Sequence, residues 1–198
     1  KADQTEVLVF DSDSALTRFA NNEIHQNVAE RDTGLLVRAV LGKKIGVASL
    51  NRTDEAGVRL AVERAAELAR FQIDDPDFRS LPSPRAVPSM PGYWERTAAY
   101  TPEQRARAVG VIVRRAMEQG LVAAGAFSTS VAQMAVANSL GLFCHRTSTE
   151  ATLSTVVMSD SSSGYADRLS GDVDEVDAEA VAQEALDKAL RGRNPQSL

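Results

Sequence analysis

Two pairs of short motifs recur in this chain at nearly the same offset, and that repetition limits its possible folds more than any other feature. Phe19-Ala20-Asn21-Asn22 is echoed by Val136-Ala137-Asn138-Ser139, and Gly46-Val47-Ala48-Ser49 by Gly164-Tyr165-Ala166-Asp167. Each pair is followed by an acid-capped, alanine-rich stretch with helical spacing. Self-similarity on this scale points to a duplicated supersecondary unit, read here as helix, four strands, helix. The fold class expected is α+β, an antiparallel sheet with helices packed on it.

Local signals fill in the repeat. Glu6 to Asp11, Ala15 to Ala20, Ile24 to Glu30, Thr33 to Leu41 and Lys44 to Ser49 are runs rich in Val, Ile, Leu, Phe and Thr. They predict an antiparallel meander of about four strands. Asn21-Asn22 and Leu41-Gly42-Lys43 fall where tight turns belong, because Asn and Gly tolerate positive φ. Thr53 or Asp54 caps a helix through Arg70, with Val58, Ala61, Val62, Ala65, Leu68 and Ala69 as its apolar positions. In the second copy Thr101-Pro102-Glu103-Gln104 forms a capping box with Pro at the first helical position. Val109, Ile112, Val113, Ala116 and Met117 give that helix its stripe, and Gly120 stops it. Strand-like runs return at Leu121 to Ser128, Ala132 to Ala137, Leu142 to Ser148 and Ala151 to Met158. A serine-rich turn, Ser159 to Ser163, follows, and then a helix capped by Asp177 through Leu190.

The organisation expected is a first α+β repeat over 1–73, whose leading helix would lie before Lys1, and a Pro-rich linker over 74–100. A second repeat covers 101–192, and 193–198 reads as a linker to an absent carboxy-terminal domain; the two repeats form one domain. The start at Lys1, a few residues from a strand-like run, reads as a cut. Pro76, Pro82, Pro84, Pro88 and Pro91 deny the linker backbone donors and favour extended chain. Tyr93 and Trp94 within it either pin it to the core or offer a stacking surface.

With 198 residues, 43% of them hydrophobic, the chain can bury a sizeable core. A net charge of -5 and a pI near 5.1 argue against a nucleic-acid surface, which needs a basic face. No run approaches the roughly 18 apolar residues of a membrane span. A single cysteine, Cys144, leaves no internal disulfide and fits a reducing compartment.

Little in the chain has the spacing of a catalytic or metal centre. Zinc needs about three or four N or S ligands, and the only histidines are His25 and His145. Cys144 and His145 are neighbours on a predicted strand and point to opposite faces. No G-x-S-x-G elbow ties a serine to either histidine. Asp11-Ser12-Asp13-Ser14 and the Ser159-Asp160 stretch lack EF-hand and P-loop spacing, so both read as solvated turn chemistry. The acidic Asp172, Asp174, Glu175 and Asp177 read as a helix approach. That leaves Arg18, Asn21, Asn22, His25 and Gln26. They are either the outward face and turn of a half-buried hairpin, with Leu16, Phe19 and Ile24 facing the core, or a polar surface for a peptide backbone or a protein partner.

LTRFANNEIHQNV at Leu16 to Val28, GKKIGVASLN at Gly42 to Asn51, the DEAGVRLAVERAAELAR helix and DDPDF at Asp74 to Phe78 together resemble the amino-terminal domain of the TldD/PmbA family, also called modulators of DNA gyrase. GLVAAGAFSTS and VANSLGLFCHRTST carry the likeness more loosely into the second half. The resemblance implies a cytoplasmic, dimeric or TldD-like/PmbA-like heterodimeric bacterial or archaeal protein that degrades or matures unfolded peptides. ARFQIDDPDF leans toward the PmbA-like subunit. The family's zinc-binding HExxxH lies in the carboxy-terminal domain of TldD-like subunits, and this sequence contains none. No catalytic or metal residue, and no cofactor, is therefore carried over. The expected role is a non-catalytic scaffold, dimer contact and substrate-channel wall, inactive alone. The alternative is a regulatory module that binds a protein such as gyrase or an antitoxin without proteolysis.

Overall fold

A computed structural model describes residues 2–195; Lys1 and residues 196–198, the end of the expected 193–198 linker, lie outside the described residues. The chain runs β1 (Gln4–Ala20), β2 (Glu23–Leu41), β3 (Lys44–Leu50), α1 (Glu55–Phe71), α2 (Glu95–Ala98), α3 (Pro102–Glu118), β4 (Val122–Asn138), β5 (Phe143–Met158), β6 (Ser163–Ser170), a 3-10 turn at Val173–Glu175, and α4 (Ala178–Arg191). One sheet takes all six strands in the order β3-β2-β1-β4-β5-β6. Neighbours are antiparallel, with Arg38 opposite Val47 at one edge and Val156 opposite Tyr165 at the other. The fold is α+β.

Each copy has three long strands rather than about four. The polar stretches that look like breaks stay extended because they satisfy one another across the ladder. Arg31 donates to both carboxylate oxygens of Asp11 at 3.2 and 3.0 Å, and the Thr33 hydroxyl donates to Asp11 at 2.5 Å. These bonds hold the Asp11 carboxyl below its ordinary range. No Pro interrupts either run there, and Gly34, packed against the Phe10 ring, stays within β2, so pairing continues. The serine turn is also shorter than predicted. The Ser159 hydroxyl oxygen accepts from the backbone of Ser161 and Ser162, and Ser163 already begins β6.

The chain packs as two compact units. The first holds Arg31–Pro91 and Ala132–Thr147 with β1 as far as Ser12. Its core is Leu35, Val37, Ala39 and Ala48 beneath Ala61 and Ala65 of α1. The 74–91 segment straps along this unit without regular structure: Leu81 donates to Gln4 at 2.8 Å, and Asn138 donates to the Pro82 carbonyl at 2.8 Å. The second unit holds Asp13–Glu30, Gly92–Val131 and the chain from Ser148. Its core gathers Phe19, Val109, Ile112, Phe127, Leu153, Val181 and Leu186. Here Trp94 lies over Gly171, where any Cβ would meet the indole at 2.5 Å. Arg96 clamps Asp172 through two bonds of 2.6 and 2.5 Å and so lowers that carboxyl's pKa.

The recurring glycine motif has a packing cause. A Cβ on Gly46 would meet the Ala65 carbonyl at 2.1 Å and the Ala69 nitrogen at 2.3 Å; one on Gly164 would meet Ala185 and Ala189 at 2.0 and 2.6 Å. In both copies an alanine pair four residues apart sets the helix backbone directly on the edge strand, an approach only glycine allows.

Candidate functional site

The first hairpin turns through Asn21 and Asn22 at φ +52° and +63°, the paired positive values of a type I′ turn. Asn22 is spent on holding this turn. Its amide nitrogen donates to the Leu121 carbonyl at 3.0 Å, and its amide oxygen accepts from Ala123 at 2.7 Å. Asn21 is exposed at the tip.

Beyond the turn, two of the five predicted residues come together. Arg18 donates to the Gln26 amide oxygen at 3.4 Å, and both line a shallow hollow of about 210 Å³ with Ser14, Leu16, Val28 and Glu30. His25 is exposed but does not line the hollow. Leu16 therefore faces outward with Arg18, not into the core. Alternation along a strand forbids Leu16 and Phe19, three residues apart, from sharing a face. Phe19 is 1% exposed, and Thr17 joins it on the inner side, while Ile24 is 39% exposed.

The inner face of the hairpin is held by a residue that sequence reasoning missed. Arg105 of α3 is 2% exposed. Its Nε donates to the Thr17 hydroxyl at 3.2 Å, and Nη1 donates to the Tyr100 carbonyl at 2.9 Å and to Thr129 at 3.1 Å. The Thr17 hydroxyl in turn donates a hydrogen bond to the Asn27 amide oxygen at 2.6 Å. Among the described residues no carboxylate lies within ion-pair distance of Arg105, and burial pushes its guanidinium pKa down. Its partners are neutral oxygens, so desolvation of the charge is offset by hydrogen bonds alone. One signal was available: Arg105, Val109, Ile112 and Ala116 are the buried residues of α3, and a charge on that stripe must find internal partners.

Among the described residues, no three His, Cys, Asp or Glu side chains are grouped so as to hold a metal ion. The acids singled out by sequence instead cap or pair. Asp177 accepts from Glu179 and Ala180, and Asp172 holds Arg96. No helix among the described residues is long and apolar enough to cross a membrane.

Comparison with known proteins fits this architecture. A search of curated proteins gives no match. Among solved structures, TldE from Thermococcus kodakarensis is 22% identical, with a TM-score of 0.86 over 96% of this chain and 44% of its own. A candidate modulator of a DNA gyrase from Thermotoga maritima is 11% identical, with a TM-score of 0.85 over 98% of this chain and 46% of its own. A candidate DNA gyrase modulator from Bacteroides thetaiotaomicron is 16% identical, with a TM-score of 0.84 over the full chain and 47% of its own. Identities this low establish the fold, and the chain spans less than half the length of each structure. Family models add sequence evidence: residues 5–69 match PmbA/TldA metallopeptidase domain 1, and residues 97–193 match the PmbA/TldA metallopeptidase central domain. With the two models together covering most of its length in the family's own domain order, this chain belongs to the TldD/PmbA family.

Proposed function

We propose that this chain is the non-catalytic amino-terminal scaffold of a TldD/PmbA-type peptidase, supplying dimer contact and part of the wall along which unfolded peptides reach a catalytic domain. The observation that carries this reading is the consecutive match to two domains described as metallopeptidase domains. The hairpin hollow supports it. An extended peptide offers a carbonyl and an N–H at every residue, and Arg18 and Gln26 supply donors and an acceptor that serve them without regard to side chain. Leu16 and Val28 give the same hollow an apolar component. Asn22 and Arg105 position the hairpin. The working assembly is a homodimer or a TldD-like/PmbA-like heterodimer in the cytoplasm. Zinc in the TldD-like carboxy-terminal domain would supply the hydrolytic chemistry, and no residue of this chain takes a step in it.

Binding of a labelled unstructured peptide to the full-length complex tests the surface. Arg18→Ala combined with Gln26→Ala removes two polar contacts and should weaken capture by about 5- to 30-fold, from roughly 1 to 2 kcal/mol, with the unfolding midpoint unchanged. Capture at wild-type affinity would remove the hollow from the account.

A second reading has its own support. Two of the similar structures are candidate gyrase modulators, which favours a regulatory module that binds a protein target. Pull-down of purified gyrase by the chain, with peptide capture absent, would favour it over the peptidase reading.

A further inference from the structure

The two edges of the sheet are the same strand of the repeat, and they are finished differently. At the β6 edge, side chains occupy the outward backbone. The Ser159 nitrogen donates to the Ser162 carbonyl at 2.8 Å and closes the turn between β5 and β6. Pairing alternates from there, so Gly164 and Ala166 bond toward β5 while Tyr165 and Asp167 point away from it. Lys188 of α4 donates to the Tyr165 carbonyl at 2.7 Å, and Arg168 donates to the Asp167 carbonyl at 2.7 Å. Glu184 holds both cations, each at 2.7 Å. Charged side chains laid on the backbone in this way close an edge to a further strand.

The β3 edge has the same geometry without that cover. Ala65 and Ala69 sit on Gly46 as Ala185 and Ala189 sit on Gly164, which sets Val47 and Ser49 in the places of Tyr165 and Asp167. By the same correspondence Leu68 stands where Lys188 does, Leu50 where Arg168 does, and Arg64 where Glu184 does. Neither leucine can donate to a carbonyl. Among the described residues, no hydrogen bond from outside the ladder reaches the backbone of Ile45, Val47 or Ser49. The flank of this edge is apolar: Val47 and Leu68 are each 44% exposed, and Phe71 is 81% exposed. Arg64, Leu68 and Phe71 follow one another at helical spacing, so they form one stripe beside the edge. Arg64 is exposed and has no ion-pair partner among the described residues.

We propose that the β3 edge is a docking site for an extended polypeptide segment, which joins the sheet as an added strand. The outward N–H and C=O groups of Ile45, Val47 and Ser49 pair with its backbone, and strand alternation fixes where its side chains go. On the helix side they meet Leu68 and Phe71, and on the other side they lie beside Ile45 and Val47. The segment is therefore apolar where it passes Val47. An acidic residue toward its Ser49 end meets Arg64, in the mirror of the bond between Arg168 and Glu184. That charge also selects against a second copy of the chain as the occupant. Two β3 strands paired antiparallel about Val47 would bring the Arg64 of each to the Lys44 end of the other, cation against cation. The β3 edge and the hairpin hollow lie in different units, and this inference does not rest on the hollow.

A labelled peptide of Val and Thr with a Glu at each end, about eight residues long so as to span β3, tests it on the 198-residue chain. Binding should protect the amides of Ile45, Val47 and Ser49 from exchange. N-methylation of only one of the peptide's two alternate sets of amides should abolish binding, as strand pairing requires. Leu68→Lys, which copies the β6 edge by offering an ammonium to the Val47 carbonyl, should weaken binding by about tenfold or more with the unfolding midpoint unchanged. Arg64→Glu should shift the preference to a peptide with Lys at each end. Arg18→Ala combined with Gln26→Ala should leave this binding as it is. Absence of saturable binding up to about 1 mM peptide, undiminished binding to Leu68→Lys, or indifference to both N-methylated sets would overturn the proposal. So would binding lost in the Arg18→Ala, Gln26→Ala variant with the β3 amides unprotected, which would place the peptide in the hairpin hollow. Protection of the β3 amides that rises with chain concentration in the absence of peptide would assign the edge to a second copy, and the proposal would fall.

Discussion

At the scale of single residues, the hairpin surface depends on what lies behind it. Arg105 is the sharpest case: a guanidinium 2% exposed, bonded to two threonine hydroxyls and one carbonyl, with no carboxylate beside it. Arg105→Ala would leave a void and strand those acceptors, so it should destabilise the chain by about 2–4 kcal/mol in urea unfolding. Arg105→Met, which loses the same charge and hydrogen bonds but keeps most of the volume, should cost clearly less, because it leaves no void. Equal losses for the two variants would mean that the stranded acceptors, and not the lost packing, set the cost. Sequence reading placed Arg18 and Gln26 on the outer face of a hairpin, and the structure brings these two together. It could not place Asn22, whose amide is consumed by Leu121 and Ala123, about a hundred positions away in the chain. A side chain's partners across such distances are invisible to local pattern.

At the scale of elements, the caps and stops were legible because their chemistry is local. The Thr101 hydroxyl accepts from the Gln104 backbone at 3.3 Å while the Gln104 side chain accepts from the Thr101 backbone at 2.7 Å, completing the capping box, and Asp54 caps α1. Strand number was not legible, since whether Asp11 and Arg31 interrupt a strand is decided by the residue across the ladder. The strand β6 was missed for a related reason: the serine-rich turn was read through Ser163, yet Ser163 begins the strand and Gly164 is the point where α4 rests on the sheet. That contact makes a prediction. Gly46→Ala and Gly164→Ala each place a methyl within about 2 Å of helix backbone, and each should cost about 1–3 kcal/mol by chemical denaturation. Gly110→Ala, on α3 with its nearest neighbour an arginine side-chain nitrogen at 3.4 Å, should be neutral or mildly stabilising. A tolerated Gly164→Ala would show that α4 does not sit on β6 as closely as described.

At the scale of the whole molecule, the family follows from the two sequence matches and the α+β class from sequence and structure alike, while the peptide-handling role is a proposal. Its central claim is that this chain shapes and presents a surface and leaves bond cleavage to another domain. The most direct measurement is made on the purified 198-residue chain: bound zinc by elemental analysis after incubation with the ion, and hydrolysis of a labelled unstructured peptide in parallel. The account predicts zinc well below one equivalent per chain and no cleavage above the buffer control. One tightly held zinc per chain, or peptide turnover that disappears with a chelator, would contradict it.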